Sequence, residues 1–404
     1  MELKLRNIAI IAHVDHGKTT LLDNIMKQSG MFRDNEAVAE RLMDSGDLEK
    51  ERGITILAKP TSVMWKDVRM NIIDTPGLDD FIGEIISSIR VGDTVVTVIN
   101  GRQGVEVGTE IIWNYIDKYN RPTLFVINQI DHPDVKFDES FKSIKSLVGN
   151  NAVKMQYPLI VDGAQCIIDV LKMKMYKFGK EGGKPEKLEI PKDQKALADE
   201  LHNELVEKAA ENDEELLELF FDKGTLNENE MRQGIKAGML NHELFPVFCV
   251  SALNDMGTGR LMGFIDNVAP AASELNEEQT LEGETLNREV GAPTSLFVFK
   301  TIYQPNLGQI TFFKVKSGEV RVNDKLINPR NNETEIINQL FIMDGKERHS
   351  VTKLTVGDIG ATLKLKFTDT NDTLRHLKSN TTIKPINFPK PRIKKSVVAT
   401  EKKD

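Results

Sequence analysis

Short apolar runs alternate with longer helical patterns through the first two-thirds of the chain, and short strand-like runs replace them near residue 293. Ile8, Ala9, Ile10 and Ile11 predict a buried strand. Behind them Leu21, Leu22, Ile25 and Met26 recur at helical spacing, with Gly30 as a stop. Met70–Asp74, Thr123–Ile127 and Val247–Val250 predict further buried strands. Such runs, separated by helices, predict an α/β domain. Further on, Leu296-Phe297-Val298-Phe299 and Ile310–Val315 read as strands, the second entering a Ser317-Gly318 turn. Ile336, Phe341, Ile342, Ile359, Ala361, Leu363 and Leu365 continue the series. Short strands at near-regular spacing predict a small closed all-β barrel.

About 120 residues separate Asp131 from Ser251, where a minimal fold needs one strand and helix, so about 150–245 read as an insertion. Its pattern predicts helices: Leu197, Leu201, Leu205 and Ala209 form one stripe, followed by Leu216, Leu217, Phe220 and Phe221. Thr225 and Glu228 are spaced as a capping box. Residues 173–190, rich in Lys, Gly and Glu, read as a flexible loop. The acidic residues between Glu204 and Glu218 read as a solvated face. Residues 272–292 are polar and aperiodic and read as a linker. The expected organisation is 1–275 for the first domain, 276–292 for the linker, 293–388 for the barrel and 389–404 for a basic tail.

Composition narrows the setting. A chain of 404 residues accommodates two or three domains. The only cysteines, Cys166 and Cys249, have apolar neighbours and read as packed thiols, which suits a reducing cytoplasm. No apolar run has the length of a membrane span, and no signal peptide is read at the N-terminus. A net charge of −8 argues against indiscriminate binding of nucleic acid, DNA included.

The chemistry begins at Ala12-His13-Val14-Asp15-His16-Gly17-Lys18-Thr19-Thr20, between the first strand and the first helix. Backbone N–H groups of such a loop wrap a polyphosphate at the positive end of a helix. Lys18 reaches the β- and γ-phosphates, and the Thr19 hydroxyl binds Mg²⁺. Asp74-Thr75-Pro76-Gly77 ends a strand: Asp74 can hold Mg²⁺ through a water and the Gly77 N–H can meet the γ-phosphate. Asn128-Gln129-Ile130-Asp131 ends another, and a carboxylate there accepts the N1 and N2 protons of guanine, a pair that adenine lacks. Ser251-Ala252-Leu253 follows a third, with the Ala252 N–H aimed at guanine O6. In the charged run Asp44–Ile56, read as a mobile surface segment, Thr55 is the candidate to close on Mg²⁺ and γ-phosphate. The alternative is that Thr55 begins a strand.

The phosphate loop and Glu51-Arg52-Gly53-Ile54-Thr55 resemble the translational GTPase family. Residues 39–59, including Met43-Asp44-Ser45 and Leu48–Lys59, are most similar to its TypA/BipA branch. From about residue 85 the chain resembles elongation factor G, including Gly357-Asp358-Ile359-Gly360 in the barrel and Phe388-Pro389-Lys390-Pro391-Arg392-Ile393 at the entry to a third domain. The family's remaining domains are absent from this sequence, which is either a truncated or a naturally short form. The resemblance implies GTP or GDP with Mg²⁺, an insertion facing the ribosomal stalk, and a barrel that packs on the nucleotide domain and touches the small subunit. It also implies that Asp15 helps bind a monovalent cation.

Two residues depart from the family pattern. Leu78 stands where hydrolysing members carry a water-positioning His, and leucine cannot orient water. Losing one such contact costs roughly 10²–10³ in rate. Gln129 replaces a Lys that covers the base and braces the phosphate loop, which implies retained guanine specificity with weaker affinity. His13 and His16 are expected to pack against or cap the loop. Three readings follow: an elongation-factor-G-type factor with slow hydrolysis, a GTP-dependent ribosome-binding module that does not hydrolyse, and a TypA/BipA-like assembly or stress GTPase.

Overall fold

The computed structural model describes residues 4–30, 47–179, 182–275, 278–286, 288–304, 307–344, 347–391, 393–396 and 398. In the first unit β1 (Lys4–Ala12) leads into α1 (Lys18–Gln28), and α2 (Asp47–Arg52) precedes the antiparallel pair β2 (Lys59–Trp65) and β3 (Val68–Asp74). Then come α3 (Ile82–Val91), β4 (Thr94–Asn100), α4 (Val107–Lys118), β5 (Thr123–Asn128), α5 (Phe137–Val148) and β6 (Ala152–Lys154). The insertion holds β7 (Gln156–Val161), β8 (Ala164–Asp169), β9 (Lys174–Gly179), β10 (Gly182–Leu188), α6 (Lys195–Ala210), α7 (Glu214–Lys223) and α8 (Glu228–Leu240). β11 (Phe245–Cys249) and α9 (Thr258–Asn267) complete the unit. The main sheet runs β2-β3-β1-β4-β5-β11-β6, parallel except for β2. Every residue of β4 and β5 is buried, as expected of parallel strands covered on both faces.

The insertion differs from its sequence reading. It is half sheet: β10-β9-β8-β7 is a four-stranded antiparallel layer. Residues 174–179 and 182–188, read as part of a flexible loop, are its strands β9 and β10. Only Met175 and Phe178 of β9 are buried, so one packed face left too few apolar positions to show a strand period. The capping box also shifts: Asn227 caps α8, its side chain accepting from Glu230 N while Glu230 Oε2 accepts from Asn227 N at 2.7 Å. Of the expected stripe, Leu205 and Ala209 are buried but Leu197 is exposed. Both cysteines are buried.

The second unit is antiparallel: β12 (Ser295–Gln304), β13 (Gly308–Ser317), β14 (Glu319–Arg321), β15 (Lys325–Asn328), β16 (Glu333–Ile336), β17 (Leu340–Asp344), β18 (Glu347–Val351), β19 (Lys353–Thr355), β20 (Ile359–Leu363) and β21 (Thr373–His376). Eight strands pair in the order β16-β15-β21-β12-β13-β20-β17-β18, and β14 pairs with β19. Val320 and Leu354 of that separate pair join the same core as Leu296, Val298, Phe313 and Leu374.

β12 is buried on both faces. Leu296 and Val298 point into the second unit's own core, whereas Phe297 and Phe299 pack with Ala58, Ile73, Ile86 and Val91 of the first. Polar groups reinforce the junction. Lys314 Nζ donates to Val91 O at 2.7 Å and ion-pairs with Asp93, and Lys300 Nζ donates to Ala58 O at 2.9 Å. The segment read as a linker is part of this junction: Glu278 is buried and ion-paired with Arg90 and Lys316, and Thr280 bridges to Ile383. Beyond β21, Phe388 packs on the shared core.

Candidate functional site

β1, β3, β5 and β11 all end at one edge of the main sheet, where open α/β sheets place ligands. Between β1 and α1, Asp15 (φ +63°) and Gly17 (φ +83°) take left-handed conformations. Gly17 is required twice over, because a Cβ there would lie 2.3 Å from Asn128 Nδ2. The same glycine caps α1 with no side chain, so the first-turn amides of α1, from Lys18, Thr19 and Thr20, face the loop's concavity uncapped.

Three motifs meet in one hydrogen-bond network. Asn128 Nδ2 donates to His16 O at 2.8 Å, and its Oδ1 accepts from Ala252 N at 2.9 Å. Gln129 Nε2 donates to Asp15 O at 3.1 Å, so the uncharged residue still braces the loop. Asn24 of α1 donates to Ala252 O. Ser251 is fully buried, and its Oγ accepts from Asn254 N at 3.1 Å. Asp131 presents a buried Oδ1 without a hydrogen-bond partner, an orphan that fits a donor pair supplied by a ligand. The Ala252 N–H, expected at a guanine O6, is engaged by Asn128. Leu253 is 78% exposed and Thr20 is exposed, so neither side chain joins the network.

On the other side of the loop, Lys18 is ion-paired with Asp74, both buried. Thr75 Oγ1 donates to Ile10 O at 2.8 Å and fixes the turn after β3. A Cβ on Gly77 would lie 3.3 Å from both Ala12 O and Val14 N, so the Gly77 backbone rests directly on the loop. Leu78 follows, extended and half-buried, as the entry to a short turn in which Phe81 N donates to its carbonyl at 3.1 Å. Thr19 is half-buried. Hydroxyl and carboxylate oxygens such as those of Thr19 and Asp74 are the hard donors that Mg²⁺ takes together with phosphate oxygens.

Thr55 is buried between α2 and β2 rather than starting a strand. The described part of the segment read as mobile is strapped down: Glu49 accepts from Ile56 N at 3.0 Å and Leu57 N at 3.2 Å and ion-pairs with Lys59. Residues 39–46 of the TypA/BipA-like stretch lie outside the described residues.

Of the two histidines, His16 tethers the loop. His16 is fully buried, with Nδ1 3.1 Å from Val98 O and Nε2 2.6 Å from Glu106 Oε2. His13 Nε2 lies 4.0 Å from the same carboxylate oxygen. Sequence reasoning missed Glu106 and Asn24. Asn24 had a legible signal, a polar residue between Leu22 and Ile25 on the buried side of α1. Glu106 had none, since its partners lie 90 or more positions away.

Comparison with known proteins supports the same assignment. The description "Elongation factor Tu GTP binding domain" matches residues 3–271, and "Elongation factor G domain 2" matches 293–377. The chain is 34% identical over 410 residues to Elongation factor G 1 of Bdellovibrio bacteriovorus, covering 99% of this chain and 58% of that protein. It therefore spans little more than half the length of that relative. A crystal structure of a Thermus thermophilus protein superposes with a TM-score of 0.82 at 21% identity, over 93% of this chain and 55% of that one, a likeness of fold. No helix among the described residues is long and apolar enough to cross a membrane. With its domain order and its chain-long similarity to elongation factor G, this chain belongs to the translational GTPase family.

Proposed function

We propose that this chain is a guanine-nucleotide-binding translation factor of the elongation factor G type that holds GTP or GDP with Mg²⁺ and hydrolyses GTP slowly. The observation that carries the reading is the joined network of Asp15, His16, Asn128, Gln129 and Ala252, beside the orphaned carboxylate oxygen of Asp131. The amides of the phosphate loop, His13 through Thr20, surround the β- and γ-phosphates. Lys18 would leave Asp74 to neutralise phosphate charge, while Thr19 and Thr55, and Asp74 through a water, would hold Mg²⁺. Thr55 closes over the γ-phosphate. Asp131 accepts from guanine N1 and N2, with Gln129 across the base and Ser251, Ala252 and Leu253 along its edge. The Gly77 N–H donates to the γ-phosphate and stabilises charge in the transition state.

Leu78 itself carries no polar side-chain atom to aim a water, and the nearest carboxylates after it are Asp79 and Asp80. That favours a second reading, a GTP-loaded ribosome-binding module for which hydrolysis is dispensable. The domain limits proposed are 1–275, 276–292, 293–388 and 389–404. Their proposed partners are the ribosomal stalk for the insertion at about 150–245 and the small subunit for the second domain, in the cytoplasm. Sedimentation with ribosomes, coupled to single-turnover GTP hydrolysis, tests both readings. Nucleotide-dependent co-sedimentation with turnover at least about 100-fold below a His-bearing relative is expected. Failure to bind GTP, or equal displacement of GTP by ATP, overturns the guanine-nucleotide reading. Ribosome-stimulated hydrolysis at ordinary enzyme rates overturns the role given to Leu78.

A further inference from the structure

The opposite edge of the main sheet carries a second concentration of chemistry. Arg90 is the penultimate residue of α3, which leads into β4, and Arg121 lies two residues before β5, so both sit at the strand-start edge of the main sheet, opposite the edge that carries the nucleotide motifs. Here the two units flank a half-open cavity of about 410 Å³, at which Lys118 and Lys384 are exposed. Such a volume lies within the usual range for small-molecule sites, about 300–1,000 Å³.

The wall is basic. Arg90, Lys118, Arg121, Arg288 and Lys384 line it, and Glu278 is the carboxylate among its described lining residues. Glu278 is already shared by Arg90, Lys316 and Arg288. The other buried carboxylate nearby, Asp93, is taken by Lys314 and Asn7. Arg121 is only 8% exposed; its Nη2 donates to Arg90 O at 2.8 Å, and its Nε–H has no hydrogen-bond partner. Burial, and the Arg90 charge beside it, push the Arg121 guanidinium down to about 10.

Buried cations in excess of buried anions are costly, and a cavity with low-dielectric walls concentrates their field on whatever enters. Guanidinium forks match phosphate oxygens. We propose that this cavity binds a small, multiply charged phosphate-bearing anion that bridges the two units. Arg121, Lys118 and Lys384 supply its phosphate contacts, and Tyr119 on the wall offers an aromatic face to an organic part. The ligand supplies the acceptor that the Arg121 Nε–H lacks.

The test uses the full chain with saturating GDP, so that the phosphate loop is filled, titrated calorimetrically with pyrophosphate and, separately, with inorganic phosphate and sulfate. One saturable site per chain is expected, with pyrophosphate bound at least about tenfold more tightly than phosphate or sulfate. Lys384→Glu, at an exposed position, weakens pyrophosphate at least about tenfold and leaves GDP affinity unchanged; Arg121→Gln removes binding. Pyrophosphate heat that disappears under saturating GDP, or that neither variant alters, overturns the proposal. If Arg121→Gln does not fold, the Lys384→Glu result decides alone. Failure of the guanine reading shows separately, as absent GDP heat.

Discussion

The two rims of the nucleotide site are built differently. On the base side, side chains do the positioning: Asn128, Gln129 and Asn24 tie the phosphate loop and α1 to the segments after β5 and β11, and each bond crosses more than 100 residues of sequence. On the γ-phosphate side, beyond the Lys18–Asp74 pair and the Thr75 hydroxyl, backbone lies directly on backbone. Gly77 lies against Ala12 and Val14, and the side chain that follows is an aliphatic one. Binding needs the loop's shape and a carboxylate at the base, and both are present. In the proposed reading, catalysis needs a polar group aimed at a water, and the corresponding place holds Leu78, followed by Asp79 and Asp80.

The sharpest way to break this contrast is Leu78→His. Returning a water-positioning group to an otherwise intact rim is expected to raise ribosome-stimulated GTP turnover about 10²–10³-fold with little change in nucleotide affinity. An unchanged rate in a correctly folded variant means that the defect lies elsewhere. Asp131→Asn comes next. Exchanging the acceptor for an amide is expected to cost about 3 kcal/mol, or ~100-fold in GDP affinity, while improving xanthosine diphosphate relative to GDP. Competition titration reads both. Gln129→Ala removes one uncharged brace from Asp15 O and is expected to cost about 1 kcal/mol, a several-fold loss for GDP and GTP alike.

The smallest effect lies outside both rims. Burial opposes charge on Glu278, but Lys316 and Arg90 hold its carboxyl well below the usual range. The folded chain therefore keeps this charge at pH values where the unfolded chain takes up a proton. Its stabilising contribution is complete above the ordinary carboxylate value of about 4.3 and is lost as pH falls through the lower, folded value. Acid unfolding followed by circular dichroism should shift toward neutral pH in Lys316→Met, and nucleotide affinity at pH 7 should not move.

Much of this was legible in the sequence because parallel strands buried on both faces are continuous apolar runs. β4 and β5 show this, and the motifs that follow β1, β3, β5 and β11 sit where the fold collects strand ends. Two kinds of feature escaped. The β9–β10 hairpin packs one face only, and its Lys, Gly and Glu residues hid the alternation. Residues 272–292 look solvated by composition, yet Glu278 is 5% exposed because cations from distant positions, Arg90 and Lys316, surround it. Pairings of that sequence separation leave no local pattern. Glu106 escaped for the same reason, and the roles given to Thr55 and Leu253 rest on motif order rather than on a local signal.

The double burial of β12 bears on how this protein can be cut and recombined. A fragment ending near residue 292 would carry Ile73, Ile86 and Val91 as an open greasy patch, and the complementary fragment would carry Phe297 and Phe299. Exposed strand faces of that kind invite self-association. Chimeras with other members of the family therefore need to exchange the two units as a matched set, or to carry both sides of this seam from one parent. Nucleotide-binding assays on the isolated first unit would report on an aggregating species.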